Sequence, residues 1–497
     1  MSHNASREGV SAGMSRGTEA TQGGQLYPPA KASRQLDSVR LAFQTHIMHL
    51  PATFDKQHPA IYTAVFVAVL IPLYYRSWQY HAAHAPWSRK TRPPSTDFVG
   101  DWLNVHLVEP FNPSAIGAYC NRTEWRPNLV FNLDNANGGI GNVRGNMLDF
   151  LFFAMEAGAS IMLPGMASRD QADISNVWAS RAPFDLFFDE EWFLKAMKEA
   201  CPQMTIYKPT DDQQVSEPLP GNYLPSSRRI DANPANSRQT YLQHLDAWLK
   251  TIPNYNPDTI TLINLERTLW DVDTRSLPPS FRRNLPQVLR LNPSVRRIAA
   301  LTIENLALQN PTTPLDPRDP IPKAAFYGAH LRTEADAATA GWLSAPNTNF
   351  SAQTDAYIAH ALAQNLNFLY VASGNASELD RFRSKAAAHA PPLAVTSKLD
   401  LLPPDALREL QALTWDQQAL VDYEVLQRCS VFGGFVKSSF SFNVAMTRAQ
   451  RREDEARVVE PYRVRHEDDA VCFDDGVSRI VGRDGWHEER IPRGMWP

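Results

Sequence analysis

The feature that most constrains the fold is a strand, a glycine-rich turn and a helix that follow one another early in the chain. The apolar run 129–133 predicts a strand, and apolar side chains recur at helical spacing between about residues 143 and 157. Gly158 predicts the end of that helix, and the apolar run 160–163 predicts the next strand. A βαβ unit of this kind indicates a parallel sheet, because parallel strands need a crossover connection.

The second half of the chain repeats this alternation of strands and helices. The intervening stretch 165–290 is rich in Pro and Asn and predicts irregular loops with helix only near 190–200 and 240–250, and a Pro-rich connector occupies 311–322. We therefore expect an α/β fold of two Rossmann-like lobes, with ligand bound in the cleft at the carboxyl ends of the strands. The second lobe is predicted to contain strands at 325–331, 368–372, 393–396 and 430–432 and helices near 354–364, 378–388, 417–428 and 441–448.

One segment near the N-terminus is apolar enough to cross a membrane. The nineteen residues from Gln57 to Tyr75 carry no charge, and as a helix they reach about 28 Å, enough for a thin bilayer. A buried core helix is the alternative, because Pro72 interrupts the apolar run. Basic residues after the segment favour a cytosolic domain. A lumenal domain is favoured by three glycosylation sequons, which begin at Asn121, Asn349 and Asn375.

These patterns also give the organisation of the chain. Composition shifts, proline-rich stretches and the two runs of alternating elements set the boundaries. The predicted parts are a disordered tail at 1–56, a transmembrane helix at 57–76, a stem at 77–99, an N-terminal lobe at 100–320, a C-terminal lobe at 321–460 and a C-terminal tail at 461–497.

Charge and cysteine content exclude several classes of function. The formal charge is −4, and no stretch clusters basic residues with aromatic ones, so nucleic acid is not expected as a partner. The cysteines show no Cys-x-x-Cys spacing, which argues against a zinc ribbon or a redox dithiol. Three complete disulfide pairings stay open among Cys120, Cys201, Cys429 and Cys472.

The first motif with chemistry is the loop 137–146, which lies between the first strand and its helix. Its glycines would let backbone N–H groups approach a phosphate at the helix N-terminus, and Asn142 and Arg144 add donors. A dinucleotide fingerprint fits poorly, because the third glycine comes one residue late and no acidic residue follows the second strand. An ordinary tight turn is the other interpretation.

Two further motifs lie in the second lobe. His330 and Arg332 share one face at the end of its first strand, where an arginine could bind a diphosphate or pair with Glu334. Asp422 lies on a helix and could accept hydrogen bonds from a guanine or a ribose. The serines of 438–441 predict either a phosphate-binding helix start or an ordinary N-cap.

Together, in this order and spacing, the three motifs resemble the GDP-fucose protein O-fucosyltransferases over about residues 125–450. The resemblance implies a GT-B fold, GDP bound between the lobes, and inverting transfer that needs no metal or other cofactor. It also implies that Arg332 stabilises the leaving diphosphate and that Asn142 orients the reacting groups. By the same likeness, the donor-binding residues would be Gly139, Ile140, Gly141, Asn142, His330, Arg332, Asp422, Ser438, Ser439 and Phe440.

Several alternatives remain at this stage. The acceptor could be a protein or a glycan, and Asp134, Glu156 and Glu334 are candidates for the general base because they lie near the motifs. The pattern Asp271-Val272-Asp273 could hold Mn²⁺, although a solvated loop explains it as well. The other class of function is a catalytically silent, membrane-tethered protein that binds a nucleotide sugar or glycan. The short apolar segment and the three sequons predict a single-pass protein of the Golgi or endoplasmic reticulum membrane with its catalytic domain in the lumen.

Overall fold

The structure is a computed structural model in which part of the chain can be described. Its described residues are 97–104, 111–209, 222–228, 237–253, 255–310, 315–319, 321–451 and 470–497. The predicted tail and transmembrane helix, and nearly all of the predicted stem, lie outside these residues. Among the helices that are described, none is both long and apolar enough to span a bilayer.

The described strands fall into two main sheets and one small hairpin. The first sheet is parallel throughout, in the order β5-β2-β1-β7-β6, and the second runs β10-β9-β8-β11-β13-β12 with only β12 antiparallel to its neighbour. The α/β fold with parallel sheets that the sequence predicts is confirmed. The strands are β1 (Arg126–Asn132), β2 (Ala159–Met162), β3 (Met166–Ser168), β4 (Ser180–Ala182), β5 (Ile206–Tyr207), β6 (Asn222–Tyr223), β7 (Thr261–Leu265), β8 (Tyr327–His330), β9 (Phe368–Ala372), β10 (Ala394–Thr396), β11 (Val431–Phe435), β12 (Val471–Asp474) and β13 (Ser478–Val481).

Helices connect and cover these strands. Short 3₁₀ turns occur at Phe184–Leu186, Ser226–Arg228, Thr274–Ser276 and Leu285–Val288. The α-helices are α1 (Phe98–Asn104), α2 (Ser114–Cys120), α3 (Ile140–Ala157), α4 (Glu190–Ala200), α5 (Arg238–Leu249), α6 (Pro279–Asn284), α7 (Pro293–Gln309), α8 (Ala335–Thr339), α9 (Phe350–Ala363), α10 (Ala376–Ala387), α11 (Lys398–Leu401), α12 (Pro404–Ala412), α13 (Trp415–Leu426), α14 (Ser439–Gln450) and α15 (Gly485–Gly494).

Helix α3 connects β1 to β2 and is buried along nearly its whole length. Its residues are largely apolar on every side, which is typical of a helix packed on all faces. The helix ends at Gly158, whose φ of +67° lets its N–H bond the carbonyls of Ala154 and Met155. A Cβ at this position would lie 2.0 Å from the Glu124 carbonyl oxygen, so only glycine fits. Local sequence thus fixes both the length of the helix and the start of β2.

The middle region contributes more to the first sheet than the sequence indicates. The predicted helices near 190–200 and 240–250 are present as α4 and α5. The sequence predicts loops for the rest of 165–290, but the structure has β7 there, beside β1 in the sheet. Asn132 on β1 donates a hydrogen bond to the Asn264 side chain on β7 over 2.7 Å. The sequence does not predict this strand, because it follows a proline- and asparagine-rich stretch and its partner lies 132 residues earlier in the chain.

The C-terminal residues also differ from the sequence prediction, which assigned 461–497 to a tail. From residue 470 onward the chain forms β12, β13 and α15. Trp496 is fully buried beside Phe152 and Phe281, with ring centroids 6.1 and 6.3 Å away. Its Nε1 donates a hydrogen bond to Asp149 on α3 over 2.8 Å. The tail was predicted because its strands are only four residues long and follow a charge-rich stretch.

A disulfide links the end of α2 to the residue after α4. Cys120 and Cys201 are bonded to each other, with their Cα atoms 5.7 Å apart. The structure therefore selects one pair where the sequence left the pairing open. A crosslink across 81 positions stabilises mainly by restricting the unfolded chain.

Candidate functional site

The glycine-rich loop and the serine-rich loop meet, although they lie 297 positions apart in the chain. Ser439 Oγ donates a hydrogen bond to Asn142 Oδ1 over 2.6 Å. Asn142 is in the first turn of α3, and Ser439 is the first residue of α14. The N-terminus of α3, which follows β1 of the first sheet, therefore lies beside the N-terminus of α14, which follows β11 of the second sheet.

Paired helix N-termini favour an anionic ligand. Each N-terminus presents unpaired backbone N–H groups and carries roughly half a positive charge. Ser438 caps α14 by accepting a hydrogen bond from the Ser441 N–H, whereas no side chain among the described residues caps α3. A Cβ built on Gly139, the N-cap of α3, would meet no atom within 4 Å, so the backbone borders open space there. This is the local geometry in which proteins bind phosphate groups.

Gly141 allows the two loops to approach each other. A Cβ at this position would lie 2.5 Å from the Ser439 carbonyl oxygen and 2.9 Å from the Ser439 Cβ. Real Cβ atoms do not come this close to a backbone oxygen, so any larger residue would push α3 and α14 apart. The sequence identified Gly141 as a residue beside a ligand; in the structure it makes the contact between the two loops possible.

His330 connects the end of β8 to the start of α14. Its Nδ1 lies 2.8 Å from Ser441 Oγ, and its ring lies 4.4 Å from the ring of Phe440. Burial lowers the pKa of His330 to about 4, and the charge of Arg332 lowers it further while Glu334 opposes the change. His330 is therefore neutral near pH 7 and serves this site as a hydrogen-bonding and stacking group rather than as a cation.

Arg332 lies just beyond β8 and is held by two carboxylates. Its Nη1 donates to Glu334 over 2.5 Å and its Nη2 to Asp336 over 2.6 Å. The guanidinium also lies over the ring of Trp342, 5.6 Å from its centroid. Burial alone would lower the pKa of Arg332, but the two carboxylates outweigh burial and raise it above the ordinary value. Arg332 is thus permanently charged and fixed in direction.

The pairing with Glu334 is the alternative that the sequence raised for Arg332, and the structure adds Asp336 to it. Arg332 uses one N–H of each terminal nitrogen for these pairs, and a guanidinium has five N–H donors. Within the described residues its side chain does not bond Asn142 or Ser439. The connection to the serine loop runs through His330, two residues earlier.

Asp422 is engaged inside the second lobe. Tyr370 on β9 donates a hydrogen bond to its Oδ1 over 2.6 Å, and Lys398 on α11 forms an ion pair with its Oδ2. Burial raises the pKa of Asp422, while Lys398 opposes the rise. Both oxygens already have partners, so a guanine or ribose would have to replace one of them. The neighbouring Tyr423 reaches the site instead, because its ring meets the edge of Phe440 at 5.6 Å.

The structure places the candidate general bases at different distances from Asn142. Glu156 lies fourteen residues after Asn142 on α3, which is about 21 Å along the helix, and it is paired with Arg228 over 3.0 Å. It is too far away to take part. Asp134 follows β1 at the carboxyl end of the strand and forms an ion pair with the exposed Arg181. Asp134 therefore remains a candidate for the general base.

Glu334 is a poor base in this geometry. Its Oε1 accepts the Gly374 N–H over 2.8 Å, and its Oε2 pairs with Arg332. Burial would raise the pKa of Glu334, but Arg332, His330 and the bond from Gly374 outweigh burial and hold it below the ordinary value. A carboxylate with a lowered pKa holds a proton weakly, so Glu334 suits the role of positioning Arg332.

The Asp271-Val272-Asp273 pattern is neutralised by arginines. Asp271 is buried and paired with Arg490 over 2.5 Å, and Asp273 is paired with Arg275 over 3.2 Å. The solvated-loop interpretation therefore does not describe Asp271. In the part of the chain that the structure describes, no group of three or more His, Cys, Asp or Glu residues is placed to hold a metal ion.

A second open space lies at the edge of the first sheet. It has a volume of about 390 Å³ and is bordered by Tyr223, His244, Trp248 and Glu266. Glu266 directly follows β7, whose carboxyl end is the edge where the glycine-rich loop also leaves β1. Tyr223 and Trp248 pack with ring centroids 4.9 Å apart. These residues cannot be recognised from the sequence, because they are spread over positions 223–266 and form no motif.

Comparison with known protein families identifies the family of the chain. A family model described as GDP-fucose protein O-fucosyltransferase matches residues 129–451, which is more than half of the chain. The chain belongs to this family. The resemblance drawn from the three motifs is thereby confirmed, and the protein is a glycosyltransferase.

Solved structures of fucosyltransferases are also similar to the chain. POFUT1 in complex with GDP-fucose is 12% identical, with a TM-score of 0.40, over 73% of this chain and 99% of that one. Fucosyltransferase NodZ from Bradyrhizobium is 12% identical, with a TM-score of 0.34, over 65% of this chain and 94% of that one. No curated protein sequence shows significant similarity to the chain.

The contact at Gly141 can be tested by adding one methyl group. We expect Gly141→Ala to lower the free energy of unfolding by about 1–3 kcal/mol, because its Cβ would force the Ser439 backbone away. Gly139→Ala is the matched control, since its Cβ meets no atom, and it should change stability by less than about 0.5 kcal/mol. Chemical denaturation measures both. Equal effects of the two substitutions would contradict the close contact between the loops.

Proposed function

We propose that this glycosyltransferase moves fucose from GDP-fucose to a hydroxyl group on a protein or a glycan, with inversion and without an obligatory metal ion. The observation that carries the proposal is the hydrogen bond between Asn142 and Ser439, which joins two helix N-termini at one place. Family membership supports the choice of donor, since the family description names GDP-fucose. In this proposal the two sheets form the lobes of a GT-B fold, and the donor lies between them.

The diphosphate of the donor would lie against the start of α14 and the backbone at Gly139. The hydroxyl group of Ser438 and the free N–H groups of both helices supply hydrogen bonds to its oxygens. Phe440 and the neutral His330 form the adjacent wall. Asn142, held by Ser439, has a fixed orientation and can direct its amide N–H group toward the reacting groups.

The chemistry follows from the charge that develops as the sugar leaves. When the bond between the anomeric carbon and the diphosphate oxygen breaks, negative charge grows on the diphosphate. Arg332 supplies a permanent positive charge to stabilise it, and Glu334 and Asp336 hold the guanidinium so that it need not reorganise. The acceptor oxygen would attack from the opposite face of the sugar, which inverts the anomeric carbon. Asp134 is the remaining candidate for accepting its proton.

The acceptor would approach from the first sheet. The space beside Tyr223 and Trp248 opens at the carboxyl edge of this sheet, with Glu266 at its border. Its aromatic faces and polar groups are suited to either a sugar ring or a peptide side chain. We place the acceptor here because the diphosphate occupies the other side of the cleft in this proposal.

We also propose that the folded domain lies in the lumen of the Golgi or endoplasmic reticulum, anchored by the helix predicted at 57–76. The disulfide between Cys120 and Cys201 supports an oxidising compartment, because cytosolic thiols are normally kept reduced. Asn121 supports it further, since this sequon asparagine is exposed, whereas Asn349 and Asn375 are half-buried helix N-caps.

The role of Arg332 predicts a large loss of turnover when the charge is removed. We expect Arg332→Ala to lower the rate of GDP release from GDP-fucose, with acceptor present, by about two orders of magnitude or more. Arg332→Lys keeps the charge but loses the planar guanidinium group, so its rate should lie between the rates of wild type and Arg332→Ala. Arg383→Ala is the control, because Arg383 pairs with Asp380 and Asp400 in an exposed position on the same lobe.

Unfolding curves of each variant must accompany these rates, since Arg332→Ala leaves two carboxylates without their cation. Near-normal turnover of a folded Arg332→Ala protein would remove Arg332 from the mechanism. Wild-type protein that binds GDP but releases none from GDP-fucose with any acceptor would instead favour the silent binding protein. Release that strictly requires Mn²⁺ would contradict metal-independent transfer.

The lumenal orientation predicts glycosylation at Asn121. When the full chain is expressed in a eukaryotic secretory host, treatment with an N-glycosidase should increase its electrophoretic mobility, and Asn121→Gln should remove at least part of that shift. Asn256→Gln is the control, because Asn256 is exposed but is not in a sequon. A wild-type chain whose mobility does not change with the enzyme would contradict a lumenal domain.

A further inference from the structure

A cavity at the C-terminal end of α14, away from the proposed donor site at its N-terminus, is lined by several arginines. It lies among α3, the segment 286–296, the end of α13 and the end of α14. Among the described residues that line it, Glu424 is the only carboxylate. The arginines that line it are Arg144, Arg290, Arg296, Arg428 and Arg451.

The partners of these guanidinium groups are mostly neutral. Arg428 donates to the backbone carbonyls of Pro317 and Asp319, and Arg451 donates to the carbonyl and side chain of Gln427. Arg144 donates to the carbonyl oxygen of Trp496 and to a terminal carboxylate oxygen of Pro497, so it has an anionic partner as well. Carbonyl oxygens satisfy hydrogen bonds but do not neutralise charge, so the cavity keeps an excess of positive charge.

Some of the buried donors also lack a partner. The Nε–H groups of Arg290, Arg428 and Arg451 are buried and make no hydrogen bond with the residues that the structure describes. Arg290 instead stacks on the ring of Trp192 at 4.0 Å. A buried donor without an acceptor costs about 1–3 kcal/mol, and more when it is charged. Three such groups around one cavity indicate that an acceptor belongs there.

The pKa values of two of these arginines are lowered, which also indicates that too little negative charge surrounds them. Burial lowers the pKa of Arg428 to about 9, and the neighbouring Arg451 and Arg296 lower it further, while Glu424 and Asp319 oppose the change. Burial lowers the pKa of Arg451 to about 10, with Arg448 and Arg144 adding to the effect and Glu424 and Tyr423 opposing it. Single arginines elsewhere in the fold that face carboxylates, such as Arg332, shift in the opposite direction.

We propose that this cavity is a binding site for a small tetrahedral oxyanion of the phosphate class. Guanidinium groups bind such anions through planar pairs of N–H donors, which makes arginine the preferred residue for phosphate. The centre of a water molecule can move through about 30 Å³ of the cavity, two or three times the ~10–15 Å³ that a single water needs. That space suits a compact anion and is far too small for a nucleotide, whose pockets measure roughly 300–1,000 Å³.

The site is separate from the proposed donor site. Thr447 and Arg451 lie eight and twelve residues beyond Ser439, which is about 12 to 18 Å along α14. The rings of Tyr423 and Phe440 lie between the two spaces. A bound anion would join α3 and the 286–296 segment to α13 and α14, so we expect it to stabilise the packing of elements that carry the donor site.

Thermal unfolding of the full-length chain at pH 7 tests this proposal. Inorganic phosphate should raise Tm and approach a plateau, whereas chloride at the same ionic strength should not. We expect Arg451→Gln to need at least tenfold more phosphate for half of the effect. Arg451→Gln should be as stable as wild type or more so in chloride, because it removes a repelling charge. Arg381→Gln, at an exposed position on α10, is the control and should behave as wild type.

A second pair of variants keeps the test decisive if Arg451→Gln does not fold. Arg290→Gln should also weaken the phosphate effect, because Arg290 lines the cavity, and Arg332→Gln should retain it. Loss of the effect in Arg332→Gln but not in Arg290→Gln would place the phosphate at the donor site and overturn the proposal. Equal stabilisation by chloride, or an unchanged phosphate effect in both cavity variants, would overturn it as well.

The source of the phosphate group is settled by comparing inorganic phosphate with glycerol 2-phosphate. A cavity of this small size should accept the free ion alone, so only inorganic phosphate should raise Tm. Stabilisation by glycerol 2-phosphate that equals the effect of phosphate, and that Arg451→Gln weakens, would overturn the free ion and assign the site to a phosphate ester.

Discussion

The contact between Asn142 and Ser439 is the constraint on which the rest of the site depends. It is one hydrogen bond of 2.6 Å, yet it requires a glycine at 141 to let two helices approach, and it brings together the positive ends of both. Neither helix could bind a diphosphate strongly alone, because the field of one helix N-terminus contributes only about 0.3–1 kcal/mol at an exposed site. In the proposed function, the two helix N-termini and the end of β8 together form one anion-binding site.

In the proposed mechanism, the charged groups of the site do not need to move during catalysis. Glu334 and Asp336 hold Arg332 and keep it protonated, while burial keeps His330 neutral. A buried cation is costly unless it is paired, and the two carboxylates remove that cost without occupying every N–H. The arginine-lined cavity at the C-terminal end of α14 shows a different arrangement. There five arginines share one described side-chain carboxylate, Glu424, and in our proposal a bound anion balances their charge.

Local sequence patterns predict the parts of the fold that local contacts determine. The βαβ unit from β1 to β2 and the strands β8 to β11 could be found because apolar spacing, a helix-ending glycine and regular alternation are all read within twenty residues. β7, Trp496 and the lining residues Tyr223 and Trp248 could not, since what makes each of them important is a partner more than twenty positions away. The same limit applies to charge. That Glu334 and Asp336 both hold Arg332, and that Lys398 and Tyr370 occupy Asp422, depends on side-chain directions that spacing does not encode.

The most direct test of the account is a crystal structure of the protein with GDP-fucose bound. The account predicts that the diphosphate lies at the start of α14, with its oxygens about 2.7–3.2 Å from the Ser439 and Phe440 backbone N–H groups, and with Arg332 and Gly139 bordering the same phosphates. A donor bound elsewhere on the molecule, with the Asn142–Ser439 hydrogen bond intact and the space before α14 empty, would contradict it.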